Sequence, residues 1–293
     1  MGSCEKKFYP SYFTFPAVFI FSVFFGIPVI AGFILSFTDW NINRVFSPKF
    51  NGIKNFVYLF QDEYFLLALK NTFVFAVVTT ISIIILGLLL ALILNGAVAG
   101  KSFFRTIFYL PAVLSLIVVG IVFTALLKMD GGVVNQILIS LGLEQWTADW
   151  LGNPKTAMGS VMIAQIWKWS GFSMALFLAG LQGISKDYYE AARIDGASKF
   201  QQFKCITFPL LAPAFTVVVT MNTIGGFKVF EQVYVMTGGG PGNATQVLGT
   251  YIYKEFSKGT LGRSTAMGLI LFIMISVIAF VLNNYLRKRE VEM

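Results

Sequence analysis

The chain has 293 residues, of which 56% are hydrophobic and 12% charged, with a formal net charge of +8. An ordinary soluble domain is roughly one-quarter charged, so this composition excludes one and points to a protein embedded in a lipid bilayer. Histidine is absent and cysteine occurs only at Cys4 and Cys205, which removes the commonest general base and metal ligand and leaves neither a disulfide framework nor a metal site to build.

In chain order, residues 1–12 form a short basic start, and residues 8–38 carry no charge over more than the roughly 20 residues that cross a bilayer as a helix. That run is too long for the apolar core of a signal peptide, so the first span is expected to stay as an anchor. The second uncharged run, 71–100, ends in NGAVAGKS. The string approaches a phosphate-binding loop, but its glycines stand one residue too close and it leaves a membrane span rather than a buried strand. It reads as a turn with Lys101 and Arg105 at the inner face. The third run, 106–127, contains Pro111; with Pro16, Pro28, Pro209 and Pro213 it predicts a kink or a helix start.

An outer connection follows, carrying GGVVNQILISLGL at 131–143 and then Trp146 and Trp150, which read as interface anchors. The fourth span, 156–185, is interrupted only by Lys168, roughly 15 Å inside it by helical rise. An ammonium at that depth needs a wet cavity or a route outward for its side chain, and both readings stand. Residues 186–204 then predict a short helix, a change of direction at Gly196 and a second helix, all at the inner face, with Asp187 capping the start. Ala191 and Ala192 are small enough for the backbone to sit close in a partner's groove, while Glu190 and Arg193 suit charged contacts at its rim.

The fifth span, 206–230, has Pro209 near its start and Lys228 near its outer end. Along it Thr216, Thr220, Thr223, Phe227 and Phe230 recur at helical spacing, beside Asn222, Gly225 and Gly226. Amides and hydroxyls bind sugar hydroxyls, and rings bind sugar C–H faces. Asn222, Thr223, Gly226, Phe227 and Phe230 are therefore candidates to line a path for an uncharged, hydroxyl-rich solute; the alternative is a Gly/Thr packing seam. Thr237–Pro241 predicts a tight external turn, the sixth span is 264–286, and a basic tail, 287–293, closes the chain.

Six such runs without strand alternation make an all-α transmembrane protein, because a bilayer offers no water to unpaired backbone groups. Inner connections carry Lys and Arg at about twice the density of outer ones, which places both termini on the cytoplasmic side. Residues 13–286 are read as a single transmembrane domain. Basic flanks at an anionic membrane face account for the net charge without nucleic acid. The spans hold no carboxylate pair and no serine with a candidate base, so neither catalysis nor a cofactor is expected.

Glu190, Ala191, Ala192, Gly196, Ile206 and Pro209 match the pattern E-A-A-x₃-G-x₉-I-x-L-P, with Phe208 in place of the leucine. This resembles the membrane subunits of binding-protein-dependent ABC importers. FKVFEQVYVMTGGGPGNATQVLGTYIY at 227–253, together with 131–143, resembles the first permease of the pair in maltose- and glycerol-phosphate-type sugar systems. The resemblance spans about residues 10–290. It implies a type I ABC importer permease fold in a bacterial cytoplasmic (inner) membrane, with a cytoplasmic coupling helix at Glu190, Ala191, Ala192, Arg193, Asp195 and Gly196. The implied partners are a second homologous permease, an ATPase dimer that holds the ATP, an extracytoplasmic solute-binding protein and a sugar substrate.

Overall fold

The computed structural model describes residues 11–96 and 99–288. Cys4, most of the expected N-terminal segment, Ala97 and Val98 of the NGAVAGKS string and residues 289–293 of the tail lie outside the described residues. The first helix, α1, runs Phe15–Leu35 with a π-helical stretch at Ser22–Gly26. A two-stranded ribbon follows, β1 (Thr38–Asp39) and β2 (Lys49–Phe50), and then α2 (Lys54–Gln61) and α3 (Glu63–Asn95). Next come α4 (Lys101–Val113), α5 (Leu116–Leu126), α6 (Val133–Ser140), α7 (Ala157–Gln182) and α8 (Lys186–Ile194). The chain continues through α9 (Lys199–Leu210) and α10 (Ala212–Phe227). It ends with α11 (Glu231–Thr237), α12 (Leu248–Ser257) and α13 (Leu261–Arg287).

Among the described residues four helices, α1, α3, α7 and α13, are long and apolar enough to cross a membrane. Two bent pairs bring the number to six when each pair counts as one span: α4 with α5, bent by 100°, and α9 with α10, bent by 66°. The uncharged run 106–127 is therefore not one straight helix. Pro111 lies inside α4, and just beyond it Leu114 and Ser115 adopt extended backbone before α5 begins.

The chain divides into two compact units: the described part of Met1–Gln61 with Ile252–Ile270, and Asp62–Tyr251 with the described part of Leu271–Met293. In the first, α1 buries none of its residues, as expected of a helix whose whole surface meets lipid or another protein. The ribbon pairs Thr38 with Phe50 and Asp39 with Lys49. Buried Asn55 fixes it by donating to Ser36 O at 2.8 Å and Thr38 O at 2.9 Å. Gly262 N, in the first turn of α13, donates to Trp40 O at 2.7 Å.

The second unit is a helical bundle with α7 at its centre: α3 and α4 pack along α7, α10 packs against α3 and α7, and α11 packs on α5. Two apolar clusters fill it. One gathers Ala91, Leu94, Met174, Phe177, Leu181, Ile184, Leu211 and Val218; the other gathers Phe75, Val161, Ala164, Val233, Met236 and Val247. Without a strong hydrophobic drive between helices in lipid, contact distance decides their packing, and small residues set it. A Cβ on Gly171 of α7 would stand 1.7 Å from Phe108 O of α4, and one on Gly226 of α10 would stand 2.8 Å from Ala76 Cα of α3. Both helix pairs touch backbone to backbone.

Gly171→Ala is expected to push α4 off α7 and destabilise the protein by about 1–3 kcal/mol, the usual range for overpacking. Gly159→Ala, where an added Cβ meets nothing within 4 Å, is the control. Thermal unfolding in detergent checks this: a lowered midpoint for the first variant only.

Candidate functional site

The segment Lys186–Leu210 builds a knuckle from purely local signals. Ser185 is the N-cap of α8, its Oγ accepting from Asp187 N at 3.3 Å. The sequence expectation of Asp187 as cap is corrected by two residues, and Asp187 instead lies in the first turn, where its charge suits the helix N-terminus. The far end closes with Ala197 N on Ala192 O at 2.8 Å and Gly196 N on Arg193 O at 3.1 Å, with Gly196 at φ +77°. That is a Schellman stop, which needs a residue able to take the left-handed conformation. Ser198 and Gln201 then form a reciprocal capping box that starts α9. Helix, stop and restart occupy 17 residues, Lys186–Gln202.

One side of this knuckle is bolted to the bundle and the other is bare. Tyr189 packs against the Phe177–Leu181–Ile184 cluster, and its hydroxyl lies 3.0 Å from Thr207 Oγ1. Glu190, Ala191, Arg193, Asp195 and Gly196 are exposed and Ala192 is half-buried. Ile194 is 87% exposed and Phe200 is 73% exposed. Apolar and charged side chains are thus displayed together on a surface that the described residues do not cover.

The residues singled out on the fifth span fall into two groups. Thr223, Gly226 and Phe227 are buried inside the second unit; Phe227 lies against Phe73 with ring centroids 6.0 Å apart. Asn222 donates to Ser173 Oγ at 3.0 Å and to Val218 O at 2.8 Å. Phe230 is not on their helical stripe, because α10 ends at Phe227 and Phe230 stands in irregular, non-helical backbone as the N-cap of α11.

Phe230 instead borders a cavity of about 410 Å³ between α5, α7, α10 and α11, with Leu116, Gln165, Trp169, Met221, Gly225, Lys228 and Gln232. Gln165 and Gln232 are 7% and 1% exposed. Among the described residues the side-chain oxygens of both have no hydrogen-bond partner, an expensive condition for buried amides. The sequence reading does not single out these two glutamines. A signal was available for Gln165, since an uncharged amide in an otherwise apolar span needs a partner; Gln232, beside Glu231 and beyond the fifth span, carried none.

Lys168 neither faces that cavity nor reaches outward. It is 2% exposed, and Nζ donates to Pro111 O at 3.2 Å, to Ala112 O at 3.1 Å and to Leu114 O. These carbonyls belong to the C-terminal end and break of α4, whose next turn is missing. The ammonium also lies 5.1 Å from the Trp169 ring centroid. Its three donors therefore cap the interrupted helix. In the outer connection, Trp150 is likewise committed internally, donating to Asn135 Oδ1 at 2.8 Å, whereas Trp146 is exposed.

Residues 83–291 match the family described as binding-protein-dependent transport system inner membrane component. A probable ABC transporter permease of Bacillus subtilis, YurN, is 37% identical over 293 residues, covering 98% of this chain and 99% of its own. The arabinooligosaccharides transport system permease AraP of the same organism is 37% identical over 281 residues, covering 94% and 88%. A bacterial ABC transporter involved in the import of the acidic polysaccharide alginate has a chain of similar structure, with a TM-score of 0.82, 28% identity and 94% coverage of both chains.

Lys168→Met removes the donors while keeping most of the side-chain volume, and leaves Ala112 O and Leu114 O unpaired, with Pro111 O held only by Leu114 N at 3.3 Å. The expected loss is about 1–3 kcal/mol, read as a lower unfolding midpoint and faster amide exchange at 112–118. Lys168→Arg, which retains donors, is expected to lose less.

Proposed function

This chain belongs to the family of binding-protein-dependent transport system inner membrane components, and we propose that it is the permease of an ABC importer for sugars or oligosaccharides, driven through residues 186–204 by a separate ATPase. The observation that carries the reading is the two-sided knuckle. Tyr189 is packed into the bundle, while Glu190, Ile194 and Phe200 lie open to a partner. A cleft on an ATPase subunit that accepts this surface moves the inner end of α7 when ATP closes it. Glu190, Ala191, Ala192, Arg193, Asp195 and Gly196 form the contact in this reading. Nucleotide chemistry stays on the partner, and this chain contributes the conformational response.

Solute passes along the cavity at Gln165, Trp169, Gly225, Phe230 and Gln232. Two unpartnered amide oxygens accept hydroxyl hydrogens, and Trp169 and Phe230 offer aromatic faces to C–H surfaces. Asn222, Thr223, Gly226 and Phe227 stand behind this wall and set its position. A second homologous permease completes the path, two ATPase subunits lie on the cytoplasmic side with both termini of this chain, and a solute-binding protein delivers sugar from outside. The names of similar permeases, which include transporters of arabinooligosaccharides and of starch degradation products, support a carbohydrate substrate.

Reconstitution of this chain with its second permease and ATPase in vesicles tests the reading: sugar uptake is expected only with ATP and loaded binding protein together, and uptake by this chain alone would overturn it. Glu190→Ala and Gly196→Pro are expected to leave membrane insertion intact and to reduce coupled uptake about tenfold or more, with weaker ATPase capture. Pro cannot take the positive φ of Gly196. Gln165→Leu and Gln232→Leu are expected to raise the apparent KM for sugar several-fold, while ATPase capture stays unchanged.

A further inference from the structure

We propose that a pocket in the first unit, bordered by Asp39, Trp40, Lys54, Asn55, Tyr58 and Arg263, receives an acidic side chain of the solute-binding protein; this rests on the importer reading above. The pocket has a volume of about 370 Å³. Its charges do not balance. Asp39 is already engaged by Arg44 at 3.4 Å, and nearby Glu255 by Lys258 at 2.5 Å. Among the described residues Lys54 and Arg263 form no ion pair. Both occupy the first turn of a helix, α2 and α13 respectively, where the backbone dipole adds to their positive potential.

The Arg263 guanidinium lies 3.6 Å from the centroid of the Tyr58 ring. Stacking holds the planar group by its face and leaves the in-plane N–H donors free to form a two-pronged bond, the geometry that a carboxylate matches. Lysine and arginine are depleted in outer connections by the rule that orients membrane proteins. A pair of cations at a pocket there needs a different cause, and an anionic partner supplies one.

The surroundings favour a protein as the source of that anion. Phe50 pairs opposite Thr38 in the ribbon that walls the pocket, and is 80% exposed. Phe46, in the loop between the two strands, is fully exposed. Exposed aromatics beside an arginine have the composition of a protein–protein interface. The pocket wall itself carries Asn and Thr side chains rather than an apolar groove for an acyl chain.

The test uses the assembled transporter in nanodiscs, comparing the wild type with the K54A/R263M double variant. Binding of substrate-loaded binding protein is measured across a range of salt. The double variant is expected to bind about tenfold more weakly and to show a flatter salt dependence, since a rim charge acts on association and its screening. R263K is expected to fall between. Should the double variant not assemble, K54Q, at an exposed position, is expected to give a smaller change in the same direction. Unchanged affinity and salt dependence would overturn the proposal. So would competition by free glucuronate at millimolar concentration, which assigns the pocket to an acidic sugar, or an effect that appears only when anionic lipid replaces zwitterionic lipid. Wild type that fails to couple ATP to uptake counts against the importer reading itself; a coupled wild type matched by the double variant counts against the docking pocket alone.

Discussion

A bilayer interior gives an unpaired carbonyl nothing to bond to, and that constraint governs how this chain is allowed to break its helices. The 100° bend between α4 and α5 strips Ala112 and Leu114 of the donors a continuing helix would supply and leaves Pro111 O with one 3.3 Å bond from Leu114 N. Lys168 reaches from α7 and donates to all three carbonyls. The same contact resolves the electrostatic problem of a lysine far inside a span, because oriented carbonyl dipoles and the Trp169 ring solvate the ammonium in place of water. A charge that looks out of place in the sequence and a bend that looks unsupported in the backbone are each explained by the other.

Close approach of α4 and α7 makes this contact reachable. Gly171 lies three residues, nearly one turn, beyond Lys168 and removes the side chain that would hold Phe108 away. Ser173 does similar work two residues later: its Oγ accepts from Asn222 of α10, and its Cβ lies only 2.8 Å from where a Cβ on Gly87 of α3 would stand. Within a single helix, polar groups reach neighbours because adjacent small residues bring those neighbours near. Packing and hydrogen bonding in the second unit are for this reason one arrangement.

The knuckle was legible in the sequence because each of its signals is local: a Ser before the helix, a Gly at its stop, a Ser-x-x-Gln restart. The sequence reading took Asp187 rather than Ser185 as the first cap, two residues that both cap helices well, and expected the second helix without naming the Ser198–Gln201 box that starts it. The six-span count was legible from uncharged runs, and Pro111 marked a kink in the third; that the kink becomes an extended break at Leu114–Ser115 was not legible, because the residue that stabilises it lies 54 positions from Leu114 in sequence. The fifth-span stripe was read one turn too far, since nothing in the residue types shows that α10 stops at Phe227. Gln165 escaped notice because an isolated glutamine in a span looks like ordinary interhelical glue, and Gln232 because it lies in a connection beside Glu231; only the fold brings the two to one cavity with their oxygens unbonded.

α7 joins these separate observations into a mechanism. Its 26 residues extend about 39 Å, with Gln165 and Trp169 at the cavity, Lys168 on the broken helix, Ser173 on α10, and Phe177 to Leu181 in the cluster that grips Tyr189. Ser185, three residues past its end, caps α8. A close-packed helix does not absorb displacement by compressing, because interiors at this density resist volume change. A partner that shifts α8 therefore moves α7 as a body, and the cavity wall, the break and the α10 seam move with it. In the proposed transport cycle this is how a cytoplasmic contact alters a solute site that it does not touch, with each bonded neighbour of α7 carrying part of the change.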